Sequence, residues 1–174
     1  LGRLVKAKGP QDAIVAFRQI EKEFPNYRLI IAGQGKNGYI KKLKDLSKKL
    51  NLSQKITFLG YVNERTKNNL LKKSKIILLP SIREGWGLVA TEAQSTSTIP
   101  IAYNVNGLKD SIKNNKTGIL TQNNPQELAR AAIKILKNEP LRIKLSHNCL
   151  KNSKQFSWNR SYLDTKKFIF KHAN

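Results

Sequence analysis

Apolar residues recur along this chain in two rhythms. From Pro10 to Phe24, Ala13, Ile14, Ala16, Phe17 and Ile20 fall on one face of a helix, with Pro10 suited to the first turn. From Tyr39 to Leu50, Ile40, Leu43, Leu46 and Leu50 share a face and lysines fill the other. Pro125 to Lys137 has the strongest helical pattern: Asn124 precedes it as a cap, and Leu128, Ala131, Ala132, Ile135 and Leu136 point inward. Weaker patterns predict helices over Glu64 to Lys73, Leu88 to Ser95, Leu108 to Lys113, Leu141 to Phe156 and Trp158 to His172. Between them lie short β runs: Arg28 to Gly33, Ile56 to Leu59, Ile76 to Leu79, Ile99 to Tyr103 and Gly118 to Thr121. Strands alternating with helices predict a parallel sheet covered on both faces, a doubly wound α/β domain. Ligands of such sheets bind beyond the carboxyl ends of the strands. Arg3, Gly33, Gly60, Pro80 and Asn104 all stand at or just after those ends.

Composition narrows the class. The 174 residues suffice for one domain with a real core, and 39% hydrophobic content lies well above the disordered range. No apolar run approaches the ~18–20 residues that span a bilayer, and no signal-peptide pattern opens the chain. The single cysteine, Cys149, cannot form an internal disulfide, and no Cys/His spacing suits zinc, so a cytoplasmic setting fits best. Methionine is absent, and only the tail of a strand precedes Arg3, which reads as a domain excised from a longer protein. The net charge of +22 suits contact with an anionic membrane face better than nucleic acid. Nucleic-acid readers favour arginine and stacked aromatics, whereas here lysine dominates and the aromatics sit singly in apolar runs.

The candidate chemistry centres on Pro80 to Ala93. A buried strand stops at Pro80; a polar turn carries Glu84; the next helix carries Glu92, with Gly85 and Gly87 between them. Two carboxylates suit a polyhydroxylated ligand. Glycine backbone permits close approach, and the free N–H groups at the helix start, around Trp86, Gly87 and Leu88, suit phosphate. Together they describe a nucleotide-sugar site. Arg3 and Lys8 flank the first strand–helix turn, where fixed cations would stabilise charge gathering on a diphosphate.

These residues resemble a known family. Glu84 to Glu92 looks like the E-x7-E signature of retaining glycosyltransferases of the GT-B fold, family four, often labelled glycosyl transferases group 1. Leu1-Gly2-Arg3-Leu4 with Lys8-Gly9 looks like that family's opening motif, and Leu29 to Gly35 like its second strand and glycine loop. Ile56 to Val62, Gly107 to Asp110, Thr117 to Leu120 and Phe156-Ser157-Trp158 follow in the family's order. The resemblance implies a Rossmann-like C-terminal half of a GT-B fold, with residues 1–174 binding the donor and an absent N-terminal half binding the acceptor. It implies that Arg3 and Lys8 hold the diphosphate, that Glu84 lies against the sugar as an anchor and that Glu92 takes the ribose. It also implies that Gly2, Gly33 and Gly35 line the nucleotide, and that backbone at Tyr61 and Val62 reads the base. The nucleoside diphosphate sugar is then the substrate; no metal or cofactor is expected, and no D-x-D occurs. The acceptor would be a glycan or lipid-linked glycan, with the enzyme at the inner face of the membrane. The fragment alone would be inactive, and the helix from about 158 to 172 would pack on the absent half.

Other classes compete. Gly33 to Gly38 fits G-x-G-x-x-G, but Gln54 to Tyr61 holds no acid for a dinucleotide ribose. A nonenzymatic nucleotide-binding module and a basic membrane- or nucleic-acid-binding domain remain alternatives. His147, His172 and Cys149 read as surface or packing residues. The sequence also departs from the family pattern: the helix after Glu92 usually ends in a glycine before the next strand's proline, and here it reads Ser97-Thr98-Ile99-Pro100; Asn106 replaces the first of a glycine pair, and Asp110 replaces a glutamate.

Overall fold

The structure, a computed structural model, describes residues 1–156 and 158–172. Ser157 of the Phe156-Ser157-Trp158 motif therefore lies outside the described residues. Strands and helices alternate through most of the chain: α1 (Pro10–Glu23), β1 (Leu29–Ala32), α2 (Asn37–Lys49), β2 (Ile56–Gly60), α3 (Glu64–Lys73), β3 (Ile76–Leu79), α4 (Leu88–Ser95), β4 (Ile99–Tyr103), α5 (Leu108–Ser111) and β5 (Ile119–Thr121). Three helices follow, α6 (Pro125–Lys137), α7 (Glu139–Ser153) and α8 (Trp158–His172).

Every strand pair is parallel, which gives the expected doubly wound α/β architecture. The strands fall into two hydrogen-bonded sets, β1-β2 and β3-β4-β5. The inner edges of β1 and β3 do not pair with each other, so the sheet is divided by a slot. β4 lies in the middle of its set, and all five of its residues are buried. That explains its apolar run, since a central parallel strand has a covered face on each side.

One core packs α1 and α6 against the sheet through Ile14, Phe17, Ile20, Leu128 and Ala132. Each large side chain there contributes roughly 1.5–3 kcal/mol by leaving water. Tyr103 ends β4 in this core, fully buried, and its hydroxyl donates to Asp12 at 2.8 Å. A second core lies under α4 and α5, with Leu71, Leu79, Ala90, Ala93, Leu108 and Ile112.

Several boundaries differ from the periodic reading for local reasons. α2 starts at Asn37, ahead of its apolar face, because nothing in Asn37-Gly38 stops a first turn. α7 starts at Glu139, before Leu141, because the Asn138 side chain accepts from the Leu141 N–H at 2.9 Å and Pro140 suits the first turn. In α6 the inward residue is Ala129, fully buried, and Ala131 is only half-buried. α8 leaves Tyr162, Leu163, Phe168, Ile169 and Phe170 exposed.

Candidate functional site

The loops after β1 and β3 meet the chain's opening turn, and the loop after β4 meets the turn that carries Glu84. β3 ends at Leu79, and Pro80-Ser81 turns the backbone toward α4. Gly9 packs so closely there that a Cβ would stand 2.1 Å from the Pro80 carbonyl oxygen, which locks the opening turn to the strand end. Lys8 thereby reaches Glu84, far away in sequence: its Nζ donates to Glu84 Oε1. Ser81, which is buried, donates its hydroxyl to the same oxygen at 3.0 Å. Glu84 is thus held by Lys8 and Ser81 rather than by its neighbour Arg83. Both Lys8 and Glu84 are only partly exposed, 30% and 16% by side chain, so water screens the pair incompletely. Arg3 is exposed and lines the same slot as Lys8, Ser81 and Glu84.

The turn runs on through Gly85, Trp86 and Gly87 into α4. Gly87 takes φ +77° and has no side chain with which to cap the helix; the Ala90 N–H donates to the Gly87 carbonyl at 2.7 Å, and the Leu88 and Val89 N–H groups at the very start of α4 have no side-chain cap. Leu88, the first residue of α4, is exposed. Trp86 is 38% exposed and meets Phe156 edge-on, with ring centroids 5.4 Å apart at 73°. Gly107 closes the far side: a Cβ there would stand 2.5 Å from the Glu84 carbonyl oxygen. Its N–H donates to Asp110 Oδ2 at 3.1 Å, so the aspartate caps the start of α5.

Glu92 sits one turn further along α4. Lys67 of α3 donates to Glu92 Oε1 at 2.8 Å and to Glu64 Oε1 at 2.9 Å. Glu92 Oε2 is buried, and it is the single buried side-chain polar atom without a partner among the described residues. Burial alone would lower the Lys67 pKa; hydrogen bonds and charge from Glu92 and Glu64 outweigh it, and the pKa is raised. Behind Glu92, Gln94 is fully buried, donates to the Ser111 carbonyl at 2.9 Å and accepts from Asn152 at 2.8 Å, fixing α4 against α5 and α7.

Gly33 and Gly35 pack against the opening strand tail. A Cβ on Gly33 would come within 1.7 Å of the Gly2 carbonyl oxygen, and one on Gly35 within 2.3 Å of the Leu4 carbonyl oxygen. Tyr61 is exposed and Val62 half-buried in the loop after β2. Among the described residues no cluster of three or more His, Cys, Asp or Glu side chains is placed to hold a metal, and no helix is long and apolar enough to cross a membrane. Sequence reasoning missed Ser81 and Lys67. Ser81 adjoins the Glu84 turn and could have been weighed; Lys67 shows in sequence only as a partner for Glu64.

Comparison with known proteins adds the following. A family model described as "Glycosyl transferases group 1" matches residues 1–156. A curated protein described as an uncharacterized glycosyltransferase, MJ1607 of Methanocaldococcus jannaschii, is 33% identical over 168 residues, covering 95% of this chain and 42% of that protein. Sucrose-phosphate synthase from Thermosynechococcus elongatus superposes with a TM-score of 0.89 at 25% identity, covering 98% of this chain and 44% of the other. Anabaena HepE in complex with UDP-glucose shares the fold, with a TM-score of 0.82 at 23% identity, over 88% of this chain and 43% of the other. The chain spans less than half the length of each of these three proteins.

Proposed function

The chain belongs to the glycosyl transferases group 1 family, and on that premise we propose that it is the donor-binding domain of a retaining glycosyltransferase. The whole enzyme would move a sugar from a nucleoside diphosphate sugar to an acceptor hydroxyl, and residues 1–174 would bind the donor while acceptor groups come from another part of the protein. The observation that carries this reading is the convergence of Lys8, Glu84 and Ser81 beside the uncapped start of α4.

In this reading the diphosphate lies across the start of α4, against N–H groups that carry partial positive charge. Arg3 and Lys8 supply the fixed cations that stabilise the leaving diphosphate as the glycosidic bond breaks. Lys8 already pairs with Glu84, so it presents an oriented ammonium beside the carboxylate. Glu84, held by Ser81, accepts from sugar hydroxyls. The unpartnered Oε2 of Glu92 accepts from a ribose hydroxyl. Gly2, Gly33 and Gly35 would bring backbone near the nucleotide, and the backbone at Tyr61 and Val62 would meet the base. The retaining course rests on the resemblance of Glu84 and Glu92 to the E-x7-E signature; departure and attack would share one face, with the leaving phosphate helping to deprotonate the acceptor. Metal independence and a basic face against anionic lipid, toward a lipid-linked or other glycan acceptor, belong to the same proposal.

A thermal-shift measurement of this chain with UDP, GDP and ADP, with and without EDTA, tests the reading. At 100 times its dissociation constant a nucleotide should add about 2.7 kcal/mol. One nucleotide should shift the chain, EDTA should not change the shift, and Glu92→Ala and Arg3→Ala should abolish it. No shift with any nucleotide, in this chain and in the whole protein alike, would end the proposal.

A further inference from the structure

The amino ends of β3 and β4 open into a recess of about 220 Å³. Lys72 and Lys73 come to it from the end of α3, and Lys75 from the lead into β3. Ser97 comes from the loop after α4, and Arg142 and Ser146 from α7. β3 and β4 are parallel, so the recess and the Glu84 turn lie at opposite ends of the same strands. Four cations thus line one small space that is separate from the site described above.

One carboxylate answers them. Arg142 donates to Glu139 at 2.7 Å, but the Glu139 side chain is 71% exposed where that of Arg142 is only 20% exposed. The guanidinium is held in the wall while its partner stands out in water, where such a pair is worth little. Lys75 donates to the Tyr27 hydroxyl at 2.8 Å, a neutral partner that leaves its charge uncompensated. Among the described residues no carboxylate pairs with Lys72, Lys73 or Lys75. Four cations less one carboxylate leave a local charge of +3.

Lysines in the last turn of a helix commonly serve its free carbonyls. Here other donors have taken those places. Ser74 donates its hydroxyl to the Leu70 carbonyl at 2.7 Å, and Thr98 donates its own to the Leu71 carbonyl at 2.6 Å. At the end of α4 the Thr96 hydroxyl and the Thr98 N–H both reach the Ala93 carbonyl at 2.9 Å. The Ser97 N–H takes the Gln94 carbonyl at 3.0 Å, and Ser146 donates to the Ser97 carbonyl at 2.9 Å. None of these carbonyls needs a lysine.

Ser97 adds a further sign. It takes φ +64°, where a serine is strained and a glycine is not. Its backbone bonds require no side chain, and its hydroxyl makes no hydrogen bond among the described residues. The fold gains nothing visible from that hydroxyl, and strain of this kind gathers where a residue meets a ligand.

We propose that the recess binds the phosphate group of a phosphorylated compound, with Lys72, Lys73 and Arg142 supplying charge and Ser97 a hydroxyl. A phosphate monoester carries about −1.5 to −2 charge and three strong acceptor oxygens, which suits this set better than a carboxylate does. A recess of this size takes one such group rather than the row of phosphates in a nucleic acid. The proposal rests on the recess alone and does not depend on the donor-binding reading.

The test is a titration of the ¹⁵N-labelled chain with glycerol phosphate at constant ionic strength. The Thr96, Ser97 and Ser146 amide signals should move and saturate, on a curve separate from any followed by Gly87 and Leu88 at the other end of the strands. Lys72→Gln with Lys73→Gln should weaken that saturation at least about tenfold. Lys41→Gln with Lys44→Gln removes the same charge from α2 and should change it less than about twofold. Ser97→Gly should weaken it about threefold or more while raising the urea midpoint, opposite effects that damage to the fold cannot produce. Vesicles of phosphatidylcholine with phosphatidic acid separate the sources of the phosphate. Binding that glycerol phosphate reverses, and that Lys72→Gln with Lys73→Gln removes, makes the ligand a lipid headgroup; saturation by glycerol phosphate without such vesicle binding makes it a soluble compound. Signals that move without saturating would overturn the proposal, and so would equal weakening by the two lysine pairs, because the chain would then gather anions over its whole surface.

Discussion

Glu84 and Glu92 carry the same charge but hold it differently. Glu84 spends one oxygen on Lys8 and Ser81, an arrangement suited to keeping a carboxylate still beside a phosphate. Glu92 gives one oxygen to Lys67 and keeps the other buried without a partner. A buried acceptor without a donor costs about 1–3 kcal/mol, and a ligand hydroxyl would remove that cost. Glu92→Gln replaces one acceptor with an amide donor, and Lys67→Met frees the carboxylate to rotate. Each should weaken nucleotide binding about tenfold or more, roughly 1.4 kcal/mol, by calorimetric titration. Unchanged affinity in both would place Glu92 outside the ligand. Cys149 yields a separate prediction. Burial pushes its thiol from the ordinary 9.0 up to about 12. The unfolded thiol therefore ionises first as pH rises, so the contribution is intact below pH 9.0 and is lost as pH climbs toward about 12. Cys149→Ala should flatten the fall in urea-measured stability across that window, and the native thiol should react slowly with alkylating reagents at pH 8 compared with the denatured chain, roughly in proportion to their thiolate fractions.

At the scale of elements, what the sequence disclosed was what it encodes locally. α6 runs from Pro125 to Lys137 as expected, because Asn124 accepts from the Gln126 N–H at 2.7 Å and Pro125 fixes the first turn. The turn carrying Glu84 was legible too, since a strand stop and two glycines announce it. Lys8 with Glu84, and Lys67 with Glu92, were not legible as pairs, because the loops and helices that bring them together are set by packing rather than by spacing. The division of the sheet was hidden for the same reason: an apolar run predicts a strand but not its neighbour. The departure over Ser97-Thr98-Ile99-Pro100 has a visible consequence. Ser97, the first residue of that stretch, takes φ +64°, a left-handed conformation that glycine adopts freely. Its N–H donates to the Gln94 carbonyl and its own carbonyl accepts from Ser146, so the backbone is held there. Ser97→Gly should stabilise the fold by about 0.5–1 kcal/mol after the added freedom of the unfolded chain is counted, measured as a higher urea midpoint at constant slope. Gly33→Ala should act in the opposite direction, because its Cβ would meet the Gly2 carbonyl oxygen.

For the whole molecule the dominant quantity is the charge, with Lys and Arg together at 33 against 11 acids. A charge of +22 repels itself, so added salt should raise Tm before any partner is considered. Much of the charge lies on helix faces turned away from the core: α2 buries Leu43 and Ser47 and exposes Lys41, Lys42, Lys44, Lys48 and Lys49. Near anionic lipid each such lysine adds about 1 kcal/mol, an attraction that decays over about 8 Å at physiological ionic strength. Vesicles with phosphatidylserine should therefore bind the chain at low salt and release it as salt rises, while neutral vesicles should not bind it at any salt. General self-repulsion and a membrane-facing surface then separate through one variant. Lys41→Gln with Lys44→Gln and Lys48→Gln removes three of the charges, which is enough to weaken vesicle binding by well over about tenfold if α2 faces the lipid. The same variant should leave the nucleotide thermal shift unchanged, because none of the three lines the Glu84 end of the slot. If vesicle binding instead falls only in proportion to total charge, for these lysines as for Lys166, Lys167 and Lys171 on α8, the basic surface is a diffuse property of the chain and no face of it is turned toward the membrane.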